Sequence, residues 1–416
     1  MPGPSTIGRR LRRMAQAFDS PALAGFVALL VYAAVAKGHP GGFKPSPSNY
    51  FSYLADAFLH GQFHLRLLPA STHDLSELTG KIFLYWPPFP AIILIPFVAI
   101  WGVNFSDVLF TVVFGAANVA AVSVLLRAAA VRGVARLSRV QRSLMVFFFA
   151  FGTVHFTLAP FGRVWFTAQV VGLGCVLLAY WAAIRLRGFP GFVTAGTAMT
   201  LAFLTRNHLA FAGLWPAAYL VHSHLRERLG QVDSALVRRL LAAATPVLLG
   251  LIFLGLYNSL RFGNPFENGL RFHQVGFEFA KDFARYGAFH PHYVVTNLYY
   301  QYIFYPLPLR DGSYWGGGLF WMSPPFLGAF VGLCTRPHWS TWTMAASIIL
   351  PAVPILLLMG TGFVQWGPRY TLDFTVPLLL LSAKGIRRWP VALFAVLVLI
   401  SVFNYAYGAR HFMRYL

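Results

Sequence analysis

The run PFPAIILIPFVAIWGV, Pro88 to Val103, decides how the rest of the chain is threaded. If it crosses a membrane, the basic stretch that follows (Arg127, Arg132, Arg136, Arg139 and Arg142) is forced outward. That breaks the rule that Lys- and Arg-rich loops stay in the cytoplasm. If it dips in and returns, the same stretch is cytoplasmic. Its 16 residues, at about 1.5 Å each, reach about 24 Å, short of a hydrocarbon core about 30 Å thick. Pro90 and Pro96 weaken it further as a spanning helix. The run reads as re-entrant or interfacial.

Composition agrees with lipid as the main solvent. Of 416 residues 57% are hydrophobic and 11% charged, and the mean hydropathy is +0.60; soluble domains carry about 25% charged residues. A formal charge of +21 would fit nucleic acid, but the arginines fall between apolar runs rather than on one basic face. Positive-inside topology accounts for them, and no nucleic-acid partner is expected. Cys175 and Cys334 lie in apolar stretches and read as small core residues, not as a disulfide or zinc site. P-loop, dinucleotide and zinc-hydrolase motifs are all missing, so ATP- or NAD-driven chemistry has no support.

Orientation follows from the charges. Arg9, Arg10, Arg12 and Arg13 place the N-terminus in the cytoplasm, and the first helix, about 21–37, exits. Its basic start and Ala34-x-Ala36 end resemble a cleavable signal peptide, but the many later spans favour an uncleaved helix. Further spans fall at about 105–126, 143–160, 164–184, 190–205, 208–222, 239–257, 319–334, 341–361, 371–386 and 389–406, making eleven. Arg185/Arg187, Arg226/Arg228/Arg238/Arg239, Arg336 and Lys384/Arg387/Arg388 then all land inside. The expectation is an all-α polytopic membrane protein with one domain over 1–416. Two long segments lie outside, 38–104 and 258–318. Asp56, Asp74, Glu77, Glu267, Glu278, Asp282 and Asp311 fall in them, with Asp373 at an outer helix mouth.

Three outer constellations could carry chemistry. In the first loop, Tyr50, Tyr53, Leu54, Ala57, Phe58 and Phe63 form an apolar face at helical spacing, with Asp56, His60 and His64 on another. That predicts a helix along the interface; Asp56 belongs either to its wet face or to a site beneath. Next comes STHDLSELTGKIFLYW, Ser71 to Trp86. Here Asp74, with His73, Lys81, Tyr85 and Trp86 as substrate-binding candidates, reads as a general base beside aromatics. It reads equally as the cap of a short helix over Leu75–Leu78, with Glu77 in the capping-box position. Last, QWGPRYTLDF places Arg369, Tyr370 and Asp373 together, while Arg163 in PFGRVWF and Arg206 in LTRNH lie at other outer helix ends. Arginines on the leaflet away from the positive-inside side are either snorkelling anchors or converge on a shared anion that their planar forks pair with bidentately. Arg310, beside Asp311 in the second loop, is a further candidate.

Together these stretches resemble the GT-C glycosyltransferase superfamily, in the poorly characterised bacterial branch of its protein mannosyltransferase/aminoarabinose transferase-like group. The resemblance is carried by NYFSYLADAFLHGQF (49–63), HDLSELTGKIFLYWPPFPAIILIPFVAIWG (73–102), YNSLRFGNPFENG (257–269) and GPRYTLDF (367–374), in order over nearly the whole chain. It implies a first outer loop with juxtamembrane helices, an acid there serving as catalytic base, and a PPxP segment that does not cross. It also implies a bacterial plasma-membrane enzyme, active at the outer face. Such an enzyme moves a sugar, with inversion, from a polyprenyl phosphate to a glycan, lipid or protein acceptor. One departure matters. Relatives carry the catalytic Asp, often Asp-Glu, just before the aromatic helix, where this chain has KPSPSNYF with Ser48 and Asn49. The role then passes to Asp74 or Asp56, or the activity is lost or changed. Arg369, with Arg163, Arg206 or Arg310, would hold the leaving phosphate, which needs charge neutralisation more than protonation. A divalent metal could share that task, though His290-Pro291-His292 is too sparse to point to one. The rival readings are a lipid or polyisoprenoid transporter and a non-catalytic lipid-binding protein.

Overall fold

The computed structural model describes residues 16–335, 338–362 and 364–412; Arg9, Arg10, Arg12, Arg13 and Arg336 lie outside them. The regular structure of the described chain is almost entirely helical, with two small two-stranded sheets. Helix Pro21–Gly38 packs directly against Asp107–Val131. Small residues allow the approach: a Cβ on Gly25 would sit 3.1 Å from Ala120, and one on Gly115 would lie 3.5 Å from the Tyr32 ring. The pair runs antiparallel. Near one end, Ser46 donates its N–H and Oγ to the Asp107 carboxylate at 2.8 and 2.6 Å. Near the other, buried Asp19 takes both forks of Arg142 at 2.8 and 3.1 Å.

Residues 38 and 107 therefore lie at the same end, and everything between them starts and finishes there. The apolar run becomes a helix of 13 residues, Phe89–Trp101, about 20 Å long at the usual rise. It does not cross. It buries Pro90, Ala91, Leu94 and Val98, packs on helix Tyr50–Leu59, and leaves Ile100 and Trp101 exposed.

Six helices are long and apolar enough to span: Pro21–Gly38, Asp107–Val131, Val164–Arg185, Ser234–Phe262, Trp339–Leu357 and Val391–Phe412. The other expected spans are shorter or broken. Segment 143–160 splits into Arg139–Phe151 and a turn at His155–Leu158, and 190–205 is Gly188–Phe203. Segment 208–222 is a 3-10 stretch, Asn207–Gly213, leading into Leu214–Glu227. The Pro324-Pro325 pair breaks 319–334, and 371–386 opens with the 3-10 turn Arg369–Phe374. The basic groups gather at one end. Arg132 reaches the Arg185 carbonyl at 3.4 Å, Arg239 meets His224, and Lys384 meets Thr341. The long loops meet at the other end.

At that loop end the chain departs from two expectations. Leu75–Leu78 is no helix. Ser76–Leu78 pairs antiparallel with Lys81–Phe83 around Thr79-Gly80, whose φ values of 50° and 73° suit a tight hairpin turn. Asp74 therefore caps nothing. The hairpin is laced to the second loop: Ser76 bridges His273, its Oγ donates to the Gly269 carbonyl at 2.8 Å, and Gln274 N–H donates to Leu75 O at 2.8 Å. Helix Tyr50–Leu59 is present but has no wet face at Asp56. Tyr50, Phe51, Ser52, Leu54, Ala55, Asp56 and Ala57 are all buried; Phe89–Trp101 packs on the helix, and Arg66 covers the Asp56 carboxylate. Cys175 is buried and Cys334 exposed.

Candidate active site

Asp74 follows His73, which is pinned by the Tyr50 hydroxyl on its carbonyl at 2.8 Å. Its own N–H donates to Gln274 O at 3.2 Å. Its φ of 64° lies in the left-handed region, which Asp and Asn tolerate better than most side chains. The carboxylate is held on both oxygens. Trp165 Nε1 donates to Oδ2 at 2.9 Å, His273 Nε2 lies 2.9 Å from Oδ1, and His73 Nε2 lies 3.5 Å from it. Burial pushes the pKa of Asp74 up, yet the hydrogen bond and charge of His273, with the charges of His73 and Arg369, hold it below the ordinary carboxylate value. At neutral pH the group is ionised and oriented.

It lines a cavity of about 750 Å³ between the loops and the helix ends. Tyr85 and Trp86 stack on each other at 3.7 Å and line the same space, with Tyr85 edge-on to His273 at 4.9 Å. Burial, reinforced by the charge of Asp74, pushes the Tyr85 phenol well up, so it stays neutral.

Three arginines converge on this cavity from separate chain segments: Arg163, Arg206 and Arg369. Arg163 precedes helix Val164–Arg185 with a φ of 92°, its N–H donating to Asp107 Oδ2 at 3.0 Å. Arg206 pairs with Asp373 Oδ2 at 3.0 Å, and His208 Nε2 meets the same oxygen at 2.8 Å. Arg369 is different. Its Nε donates to Gly362 O at 3.1 Å and its Nη2 to the Tyr370 hydroxyl at 3.2 Å, and it lies 4.6 Å from the Tyr370 ring centre. Those partners are neutral, and among the described residues Arg369 has no carboxylate within 4.0 Å. A buried guanidinium held by neutral groups beside an open cavity is ready to accept an anion.

Of the residues singled out from sequence, His73, Asp74, Tyr85, Trp86, Arg163, Arg206, Arg369 and Tyr370 are brought together here. Asp373 stands behind the wall and orients Arg206. Asp56 is elsewhere, in a bidentate pair with Arg66 at 3.0 Å on both oxygens. Lys81 is exposed on the hairpin, and Arg310 is exposed with its Nη2 on the Tyr305 carbonyl at 3.3 Å. Reading the sequence missed His273, Trp165 and His208. Trp165 and His208 each stand two residues from an arginine already noted, Arg163 and Arg206, which was the available signal; His273 had none. No group of three or more His, Cys, Asp or Glu among the described residues is placed to hold a metal ion.

No family model and no curated protein matches the chain. Among solved structures it is similar to ArnT from Cupriavidus metallidurans bound to undecaprenyl phosphate, with 17% identity and a TM-score of 0.50, over 89% of this chain and 60% of that one. It is also similar to the apo state of that protein, with 16% identity and a TM-score of 0.46 over 89% and 60%. A third likeness is to an apo oligosaccharyltransferase from Archaeoglobus fulgidus, with 13% identity and a TM-score of 0.43 over 94% and 55%. The first of these shows the fold: the chain is a GT-C-like, all-α integral membrane protein. It spans about 60% of the length of the ArnT chain.

Proposed function

We propose that this chain is a membrane glycosyltransferase that moves a sugar from a polyprenyl-phosphate donor to an acceptor on the outer face of the membrane. The observation that carries the reading is one cavity holding an oriented, ionised Asp74 together with Arg369, a guanidinium without a carboxylate partner among the described residues. The fold supports it, since the ArnT structure was determined with undecaprenyl phosphate bound.

The chemistry follows from the two groups. Asp74 accepts the proton of an acceptor hydroxyl as that oxygen attacks the anomeric carbon. The bond from that carbon to the phosphate oxygen breaks, and the polyprenyl phosphate departs with its negative charge. Arg369, with Arg206 and Arg163, neutralises that charge, and the displacement inverts the anomeric centre. The Tyr85–Trp86 stack offers the sugar a flat apolar surface.

The test is sugar transfer by purified protein. Asp74→Asn should bind donor as wild type does while turnover falls about 10²–10⁴-fold. Asn suits the left-handed backbone there, so the fold should survive. Full activity in that variant would remove Asp74 from the chemistry, and donor binding without transfer by the wild type would favour a lipid-binding protein.

A further inference from the structure

At the opposite end of the bundle a second cavity, of about 600 Å³, opens between the loop after helix Asp107–Val131, the end of Thr375–Ile386 and the start of Trp339–Leu357. Arg136, Lys384, Arg387 and Arg388 all line it. Lys384 is half-buried, with Nζ donating to the buried Thr341 Oγ1 at 3.1 Å, while the three arginines are exposed around it. The acids paired at this end serve other residues: Asp19 holds Arg139 and Arg142, and Asp233 holds His224 and Arg228. Among the described residues none of the four cations has a carboxylate within 4.0 Å. The 19-residue helix Trp339–Leu357 adds the positive end of its dipole, with no acid in its first turn.

Positive-inside orientation explains why cations lie at this end, but not why four of them line one cavity. Like charges gathered there repel unless an anion joins them. We infer that this pocket binds a phosphate-bearing anion, with the guanidinium forks on its oxygens and Lys384 as a point charge at its base. The source is either the headgroup of an anionic phospholipid, which the helix ends would meet, or a soluble phosphate. The inference is independent of the role assigned to Asp74.

Native mass spectrometry of the full-length protein in neutral detergent tests it, with inorganic phosphate, short-chain phosphatidylglycerol and, as control, short-chain phosphatidylcholine as probes. Wild type should retain phosphate or phosphatidylglycerol over the control. Arg387→Gln/Arg388→Gln, at exposed positions that folding tolerates, should weaken that binding at least about tenfold, and Lys384→Gln should abolish it. Preference for phosphatidylglycerol identifies a lipid, and preference for phosphate a soluble ligand. Two results would overturn the inference. One is equal retention of all three probes by wild type; the other is binding that persists in the Arg387/Arg388 variant and disappears in Arg369→Gln, which would place the anion in the Asp74 cavity. Should Lys384→Gln fail to fold, the arginine variant decides alone.

Discussion

At the scale of single residues, the His273 hydrogen bond is the largest of the effects that lower the pKa of Asp74 against its burial. Removing that partner leaves burial to act against fewer opposing charges, so the pKa of Asp74 rises in His273→Gln. The sign follows directly. Activity that needs the ionised form is lost as pH falls through the pKa of Asp74, so the acid limb of the pH–rate profile should move to higher pH in the variant. A limb that stays in place would show that His273 does not set it. Arg369→Lys is the companion test. A charged hydrogen bond is worth about 1.5–3 kcal/mol, so donor affinity should drop about 10- to 100-fold, read by equilibrium binding with unfolding temperature as the control. Near-normal binding would make Arg369 an anchor. Asp74 and the arginines were legible in the sequence because charge is conspicuous in an apolar chain. His273 was not, since a partner 199 residues from Asp74 leaves no local trace.

At the scale of elements, length decided what could be read. Sixteen apolar residues interrupted by prolines are too few to cross, and the helix Phe89–Trp101 obeys that limit. Single cysteines at Lys81 and Asn104, both exposed and flanking it, should react with an impermeant thiol reagent from the same side, in a background where Cys334 is replaced. Opposite sidedness would mean that this helix crosses. The hairpin was not legible. Ser76 to Leu78 fits a capped turn as well as a strand, and only pairing with Lys81–Phe83 and His273 selects the strand. Asp56 was misplaced for a related reason: its helical spacing is right, but whether a face is wet depends on the neighbour that covers it.

At the scale of the whole molecule, the basic residues of the short connections gather at one end and the long loops meet at the other. The eleven-span threading predicts a labelling pattern. Ser138 is exposed at the basic end; Ser313 is buried, so Asp311, exposed in the second loop, is the matching position. In intact cells Asp311→Cys should react with an impermeant reagent and Ser138→Cys only after permeabilisation. The reverse pattern would invert the molecule and put the Asp74 cavity in the cytoplasm. Periodicity and charge made the bundle legible. The breaks at Gly152, Pro324-Pro325 and Arg369–Phe374 were not, because an apolar run does not record where its helix stops.

The lacing of the hairpin to residues 269–274 also bears on biogenesis. During synthesis Asp74 is made long before His273, and seven helices of ten or more residues lie between them, from Phe89–Trp101 to Ser234–Phe262. Until those segments have been inserted, the carboxylate has only its own hairpin for company, and one wall of its cavity does not exist. A nascent or truncated chain ending before Gly269 would carry the acid without the pocket. The fold thereby ties competence at this site to near-completion of the polypeptide.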